Sequence, residues 1–390
     1  MKTIRYNLCT FLLLCLFSLP GRALIATDNT QISVLTCAPG NELYSLFGHT
    51  AIRIQSPENA LDAVFNYGTF DFHTDHFYLK YARGLLPYQL SVTSYENFIR
   101  SYIFDNRSVW SQTLQLDLQQ KQRLLDLLTN NYKPENRTYL YNFLYDNCST
   151  RVRDIIETSC GKTIRWHMPD EHKSFWNLLD KYLVRMPWVK WGIHTILGQP
   201  GNQTATRYQY MFLPDYLLEG LESATINETL LAAPVQTLFE AEDVALTNPW
   251  YASPLFIFTL ASTAIICLLQ RFRSRRFLVS IAFPLFFISG VIGCLLVFLG
   301  GFTQHPMTAP NYNLIWANPL NLLVLPWLWR SQLPRGVKKY LTLYVWILTL
   351  GLPMWFFLQP SVPYASIPLL VLMIYLSRRL KQKTHSSNMK

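Results

Sequence analysis

The sequence predicts an α+β globular domain followed by an α-helical membrane bundle of about five transmembrane helices. Three observations carry this. Up to about Val244 the 390-residue chain mixes charged, polar and aromatic residues as a folded aqueous domain does, whereas from Pro254 onward long apolar runs dominate. Within the first part, segments that alternate in polarity are interleaved with segments of helical period. Within the second, the runs 254–269, 277–299, 314–329, 340–358 and 362–376 contain no charged residue. The expected division is a signal peptide over 1–26, a globular domain over 27–250 and a membrane domain over 251–390.

The chain opens with "MKTIRYNLCTFLLLCLFSLPGRALIA", a basic start, an apolar stretch and small residues at Ala23 and Ala26. That is a signal-peptide pattern, because the apolar stretch is shorter than the roughly 20 residues that a span needs. Next, "TAIRI" alternates as a strand does, "QSPENALDA" supplies turn chemistry, and "VFNYGTFDF" resumes the alternation, so a hairpin is expected. Its first strand is entered through "LFGH", which puts His49 at the strand's edge.

From Leu116, "LDLQQKQRLLDLLTNNY" spaces leucines at helical intervals and "KPENR" breaks the pattern. "TYLYNFLYDN" reads as strand or extended chain. In "CSTRVRDIIETSCGK", Val152, Ile155 and Ile156 share one helical face, Gly161 stops the helix, and Cys148 falls in the first turn with Asp146 or Asn147 as cap. Beyond it lie short helical pieces in a tryptophan-rich stretch, then an amphipathic helix in "LPDYLLEGLESATI". The aromatic residues between Trp166 and Trp191 are open between an interfacial belt on lipid and ordinary core packing.

The formal charge of +10 does not point to nucleic acid. Much of the excess lies in "QRFRSRRF", "RSQLPRGVKKY" and "SRRLKQK", between or after apolar runs, while "GGFTQHPMTAPNYN" and "QPSVPY" carry no Lys or Arg. Alternate loops are therefore basic. The positive-inside rule then places the basic loops and the C-terminus in the cytoplasm and the globular domain outside it, on a multi-pass membrane protein.

Of seven cysteines, Cys37, Cys148 and Cys160 fall in the exported domain, where an odd number leaves one thiol unpaired within the chain. A cysteine attacks as thiolate, and a helix N-terminus offers partial positive charge and unpaired N–H groups that favour the anion. The same donors suit the oxyanion of an acyl tetrahedral intermediate. His49 is the candidate base, and across the hairpin Asn66 is the candidate group to orient it, with Asp71 next. Against this stands the plainer reading in which Cys148 is structural and pairs with Cys160 or Cys37. Arg137 and Arg151 are candidates to hold a phosphate headgroup, while Arg153 is read as an ion-paired helix residue. "HTDH" lacks the further ligands that a metal site needs, and no phosphate-loop, dinucleotide or G-x-S-x-G motif occurs, so neither metal nor cofactor is expected.

"FGHTAIRI" followed about a hundred residues later by "YDNCSTRVRDIIE" resembles circularly permuted papain-like proteins, among them NlpC/P60 and lecithin:retinol acyltransferase-like proteins. More closely, "LTCAPGNELYSLFGHTAIRI", "FYLKYARGLLPYQL" and "PENRTYLYNFLYDNCSTRVRD", with trailing membrane helices, resemble the Lnb family of lipoprotein N-acyltransferases. The resemblance implies a papain-like periplasmic domain with Cys148 as nucleophile and His49 as base. It leaves Cys37, in "TCAPG", open between a structural bridge to Cys160, which is preferred, and an auxiliary role at the site.

The function so implied is acyl transfer from a phospholipid, through a cysteine thioester, to the N-terminal amine of a diacylated lipoprotein. The alternative is a membrane-anchored NlpC/P60-like peptidase or amidase acting on cell-wall peptides. One anchor would suffice for that enzyme, so the remaining helices discriminate between the two.

Overall fold

The computed structural model describes residues 24–161, 163–168, 171–242, 248–359 and 363–382, so the signal peptide assigned to 1–26 lies outside the described residues except for its last three. Strands β1 (Gln31–Cys37), β2 (His49–Ser56), β3 (Leu61–Thr69), β4 (Pro87–Ser94), β5 (Val109–Thr113) and β6 (Thr138–Leu140) belong to one antiparallel sheet. The short strands β7 (Ile164–Arg165), β8 (Thr225–Ile226) and β9 (Thr229–Leu230) form a second, and β10 (Gln236–Phe239) returns to the first. The order of the large sheet is β10-β5-β1-β2-β3-β4-β6. Because β10 pairs with β5, the globular part extends to Phe239.

Around this sheet lie α1 (Phe77–Ala82), α2 (Tyr95–Phe104), α3 (Leu118–Tyr132), α4 (Cys148–Ser159), α5 (Phe175–Leu183), α6 (Pro187–Ile196), α7 (Arg207–Tyr210) and α8 (Pro214–Ser223). The expected hairpin is β2 and β3, joined by a short 3-10 turn that ends on left-handed Ala60. Alternation divides the sheet between two cores. Ile32, Val34, Ile52, Ile54 and Phe65 pack with α3 and α4, whereas Leu35, Cys37, Ala51 and Val64 face α2. The α3 helix starts on Asp117 in a reciprocal cap with Gln120. The aromatic run before Cys148 yields only three residues of strand, β6, and then a turn closed by Asn142 and Asp146.

The membrane part consists of α9 (Pro254–Arg271), α10 (Arg275–Phe302), α11 (Asn321–Leu328), α12 (Arg335–Leu358) and α13 (Ile367–Lys381). Five helices therefore follow the five apolar runs, but among the described residues only α9, α10 and α12 are long and apolar enough to cross a membrane. The run 314–329 is broken: it begins in a 3-10 turn, is interrupted at Pro319, and gives an α-helix of 8 residues. At 1.5 Å per residue that helix covers about 12 Å of a core about 30 Å thick. Its buried Asn321 binds Ser289, Tyr340 and Tyr344, so polar groups of the run are satisfied inside the bundle.

The two parts are fastened at the loops without Lys or Arg. The amide of Asn311 donates to the carbonyls of Thr195 and Ile196, Gly198 N–H to Met307, Gln199 N–H to Pro310, and Gln359 Nε2 to Leu197. Beside these bonds, Trp188 and Trp191 pack edge-on against Phe258 of α9, while Trp176 is fully buried in the globular part. Core packing therefore holds for Trp176, whereas Trp188 and Trp191 pack on a membrane helix, an arrangement that neither reading of the stretch names.

Candidate active site

His49 begins β2 directly opposite Cys37 at the end of β1. The chain enters there through Gly48 at φ +81°, where an added Cβ would lie 2.7 Å from the Cys37 carbonyl, so only glycine admits this turn. The His49 Nε2 lies 3.3 Å from Asn66 Oδ1 on the neighbouring strand. The Asn66 amide nitrogen donates to the Val64 carbonyl, which fixes its oxygen toward the ring. An amide oxygen only accepts, so Nε2 carries the proton and the lone pair is left on Nδ1. The hairpin thus brings His49 and Asn66 together as expected, whereas Asp71 is exposed and binds His73.

Cys148 is the first residue of α4. Asn147 caps the helix by accepting from Thr150 N–H while Thr150 Oγ1 accepts from Asn147 N–H. The Asn147 amide also donates to the carbonyls of Phe143 and Phe212, and Ser149 Oγ to Met211, so the helix start is held from two sides. The backbone N–H groups of Thr50, Ser149 and Cys148 itself lie close enough to the sulfur to favour its anion. Thr50 is the residue after His49, and this contact sets the nucleophile candidate against the strand that carries the base candidate. On the other side, a Cβ at Gly68 (φ +89°) would lie 3.6 Å from Cys148 Cβ. The helix start occupies the place where β2 and β3 no longer pair, beyond Ile52 and Phe65.

The electrostatics correct one expectation. The helix end was expected to hold Cys148 as thiolate, yet its pKa is raised, because burial outweighs the three N–H groups that oppose it. His49 is lowered to about 4, first by burial, with the Asn66 bond opposing and the nearby Arg107 guanidinium adding to the fall. The resting pair at neutral pH is therefore a thiol and a neutral imidazole, which is the protonation state that a general base requires.

The other cysteines differ from expectation as well. Among the described residues Cys37, Cys148 and Cys160 are all free, so the Cys37–Cys160 bridge is not formed. Cys37 lies on the α2 face of the sheet beside His49, whereas Cys160 lies at the far end of α4, about 18 Å of helix away from Cys148. Burial pushes the Cys37 thiol up to about 12, against a hydrogen bond from Tyr102 and the field of Arg107. Arg151, expected at a headgroup, is engaged at 2.6 and 2.8 Å by both oxygens of Asp146 and stacks 3.5 Å over the ring of Tyr139. Arg137 has no ion pair among the described residues. Arg153 pairs with Asp154, as read from the sequence, but it is buried and not on the solvated helix face that reading assumes.

Sequence reasoning missed Thr50, whose contribution is backbone and leaves no signal in residue type. It also missed Gly68, for which a glycine inside a strand pattern was the available sign, and Tyr139 and Tyr141. The Tyr139 hydroxyl is buried without a hydrogen-bond partner, and both tyrosines have raised pKa values, chiefly from burial and partly from Cys148 nearby.

Two family models match the chain: the Lnb N-terminal periplasmic domain over residues 22–178, which contains His49, Asn66 and Cys148, and the Lnb transmembrane domain over residues 245–384. No curated protein and no solved structure matches it.

Proposed function

From the premise that this chain belongs to the Lnb family, as a membrane protein with a periplasmic N-terminal part, we propose that it is a lipoprotein N-acyltransferase working through Cys148. The observation that carries the reading is the sulfur of Cys148 under three backbone N–H groups, one of them next in sequence to a neutral histidine held by Asn66.

In the first half-reaction His49 Nδ1 takes the thiol proton as sulfur attacks the ester carbonyl of a phospholipid. The oxyanion forms within reach of the backbone donors at the start of α4, an arrangement in which a single donor is worth about 10²–10³ in rate. Collapse breaks the carbonyl–oxygen bond, the lysophospholipid leaves with the proton from His49, and an acyl thioester remains on Cys148. In the second half-reaction the N-terminal amine of a diacylglyceryl-cysteine lipoprotein attacks the thioester and gives its proton to His49. The amide forms, and the thiolate that leaves recovers that proton. Neither half-reaction needs a preformed thiolate, in keeping with the raised pKa of Cys148. The buried Tyr139 hydroxyl, unpartnered among the described residues, is a donor for substrate oxygen, and Arg151 fixes that ring rather than binding a headgroup itself. Arg137 remains the candidate for the headgroup phosphate.

We place the leader at 1–26, the catalytic domain at 27–250 and the membrane domain at 251–390, with the basic segments and C-terminus cytoplasmic. The docking of both uncharged loops on the globular part supports this, since it puts them on one side of the bilayer. Donor and acceptor are both bilayer-anchored, so a site at the membrane surface meets each at high local concentration.

The test is mass spectrometry of lipoprotein N-termini from cells with the protein, without it, and with Cys148→Ser. Triacylated termini are expected only with the intact protein. Unchanged triacylation together with altered cell-wall fragments would replace this reading by the peptidase one.

A further inference from the structure

The segment 70–83, between β3 and β4, supplies none of the polar groups around Cys148 and leaves much of its apolar surface exposed. Phe72 is 67% exposed and Tyr78 83%, and Leu79 and Tyr81 are more than half exposed. Isolated apolar side chains on a surface are ordinary, but a contiguous aromatic patch marks an interaction site. These rings are contiguous: Phe70 lies 5.0 Å from Phe72 and 5.9 Å from Phe77, centroid to centroid, and Phe77 lies 5.4 Å from Tyr78.

What covers the patch follows from where its end is tied. Gln304 N–H donates to the Arg83 carbonyl, His305 Nε2 lies 3.2 Å from the Ala82 carbonyl, and Gly84 sits against the His305 ring. Gln304 and His305 follow directly on α10, whose 28 residues give about 42 Å of helix, enough to carry its end to the polar boundary of a bilayer. The exposed Phe302 ends that helix, and the exposed Trp250 and Tyr251 stand just before α9, a distribution of rings like that of a membrane-interface belt. The segment 70–83 is therefore fixed at the level where apolar tails meet headgroups.

The same rings lead inward. Phe70 is 5.2 Å from Tyr88, and Tyr88 stacks on Tyr141 at 4.3 Å. A Cβ at Gly68 would lie 3.5 Å from Tyr141 and 3.6 Å from Cys148 Cβ. A row of ring contacts thus runs from the exposed patch to Tyr141, which with Cys148 flanks Gly68.

We propose that segment 70–83 is seated in the lipid leaflet on the side of the globular domain and that the path through Phe70, Tyr88 and Tyr141 receives the acyl chain bound for Cys148. The acyl route rests on the acyltransferase reading, whereas the seating in lipid does not.

The test uses the full chain in nanodiscs of phosphatidylethanolamine and phosphatidylglycerol, with the photoreactive residue p-benzoylphenylalanine at position 72, 78 or, as control, 132 on α3. After irradiation, phospholipid adducts at 72 and 78 are expected to exceed those at 132 by about tenfold, the scale set by burying one large apolar side chain. Adduct yields at 72 and 78 no higher than at 132 overturn the seating.

For the route, acylation of Cys148 is followed in Phe72→Asp/Tyr78→Asp with vesicle phospholipid and with a water-soluble short-chain phospholipid as donors. The ratio of the two rates is expected to fall about tenfold relative to the parent chain. An unchanged ratio overturns the route. Strong crosslinks in a parent chain that neither donor acylates would instead overturn the acyltransferase reading, and the route with it, while leaving the seating intact.

Discussion

The two ends of α4 each hold a buried cysteine, free among the described residues, and their surroundings differ in the polar groups offered to the sulfur. At the N-terminal end the sulfur of Cys148 has three backbone N–H groups close by that favour its anion, one of them adjacent to His49. At the C-terminal end Cys160 has the Ser159 hydroxyl at 3.7 Å, and its carbonyl accepts from Thr163. Burial raises both thiols. Burial alone therefore does not single out a nucleophile. Direction does: unpaired N–H groups point out of one helix end and carbonyls out of the other.

The sharpest way to break this comparison is to remove each sulfur in turn. In a membrane-reconstituted transfer assay, Cys148→Ala is expected to lower the rate by roughly 10⁴-fold or more, the scale seen when a covalent nucleophile is lost. A residual rate near that of the parent chain would show that the two ends do not differ in the way argued. His49→Ala comes next, with an expected loss of about 10²–10⁴-fold.

Asn66→Ala is expected to cost roughly 10²-fold through loss of ring orientation. It has a second readout, because the Asn66 bond favours protonated His49. In the parent chain the acid limb of kcat/KM should lie near pH 4, since His49 is lowered to about 4 and only its neutral form accepts the thiol proton. Activity then persists down through pH 6 and is lost as pH falls through the lowered value. Removing Asn66 should move that limb to still lower pH. A limb near pH 6.5 in the parent chain would show that the imidazole is not buried as described.

The smallest effects concern framework. Asn147→Ala removes the cap of α4 and should cost about 1–2 kcal/mol of stability by thermal unfolding, with activity reduced in proportion to the disorder at the helix start. Cys160→Ala should destabilise by about 1 kcal/mol while leaving transfer within about twofold.

Much of this contrast was legible in the chain because it is built from local rules. Period-two alternation gave the hairpin, "DNC" before a helical stripe gave the cap and the place of Cys148, and the hairpin brought Asn66 to His49. What escaped was set by tertiary structure. Cys148 enters where β2 and β3 stop pairing and β3 bulges against β4 between Asn66 and Thr69, and the Thr50 N–H, being backbone, leaves no sign of its part in the β2 sequence. The sign of the Cys148 shift follows from total burial, which no capping motif reports. The bridge between Cys37 and Cys160 is an option attached to the "TCAPG" resemblance, and a local motif does not report that one cysteine lies opposite His49 and the other past a helix of 12 residues. Hydropathy likewise cannot separate a spanning helix from a broken apolar run folded into the bundle, since both exclude charge. The patch on 70–83 was visible only as composition until the contacts with Gln304 and His305 gave it a position.

The bonds from Asn311, Gly198, Gln199 and Gln359 join the two halves through main-chain carbonyls as well as side chains. They tie the globular part to the membrane part at several points, so on the proposed reading the sulfur of Cys148 keeps a set altitude above the lipid and both substrates climb to it. Selection among esters and amines would then be a matter of reach, set by how far each can rise from its own anchor before its tail leaves the oil.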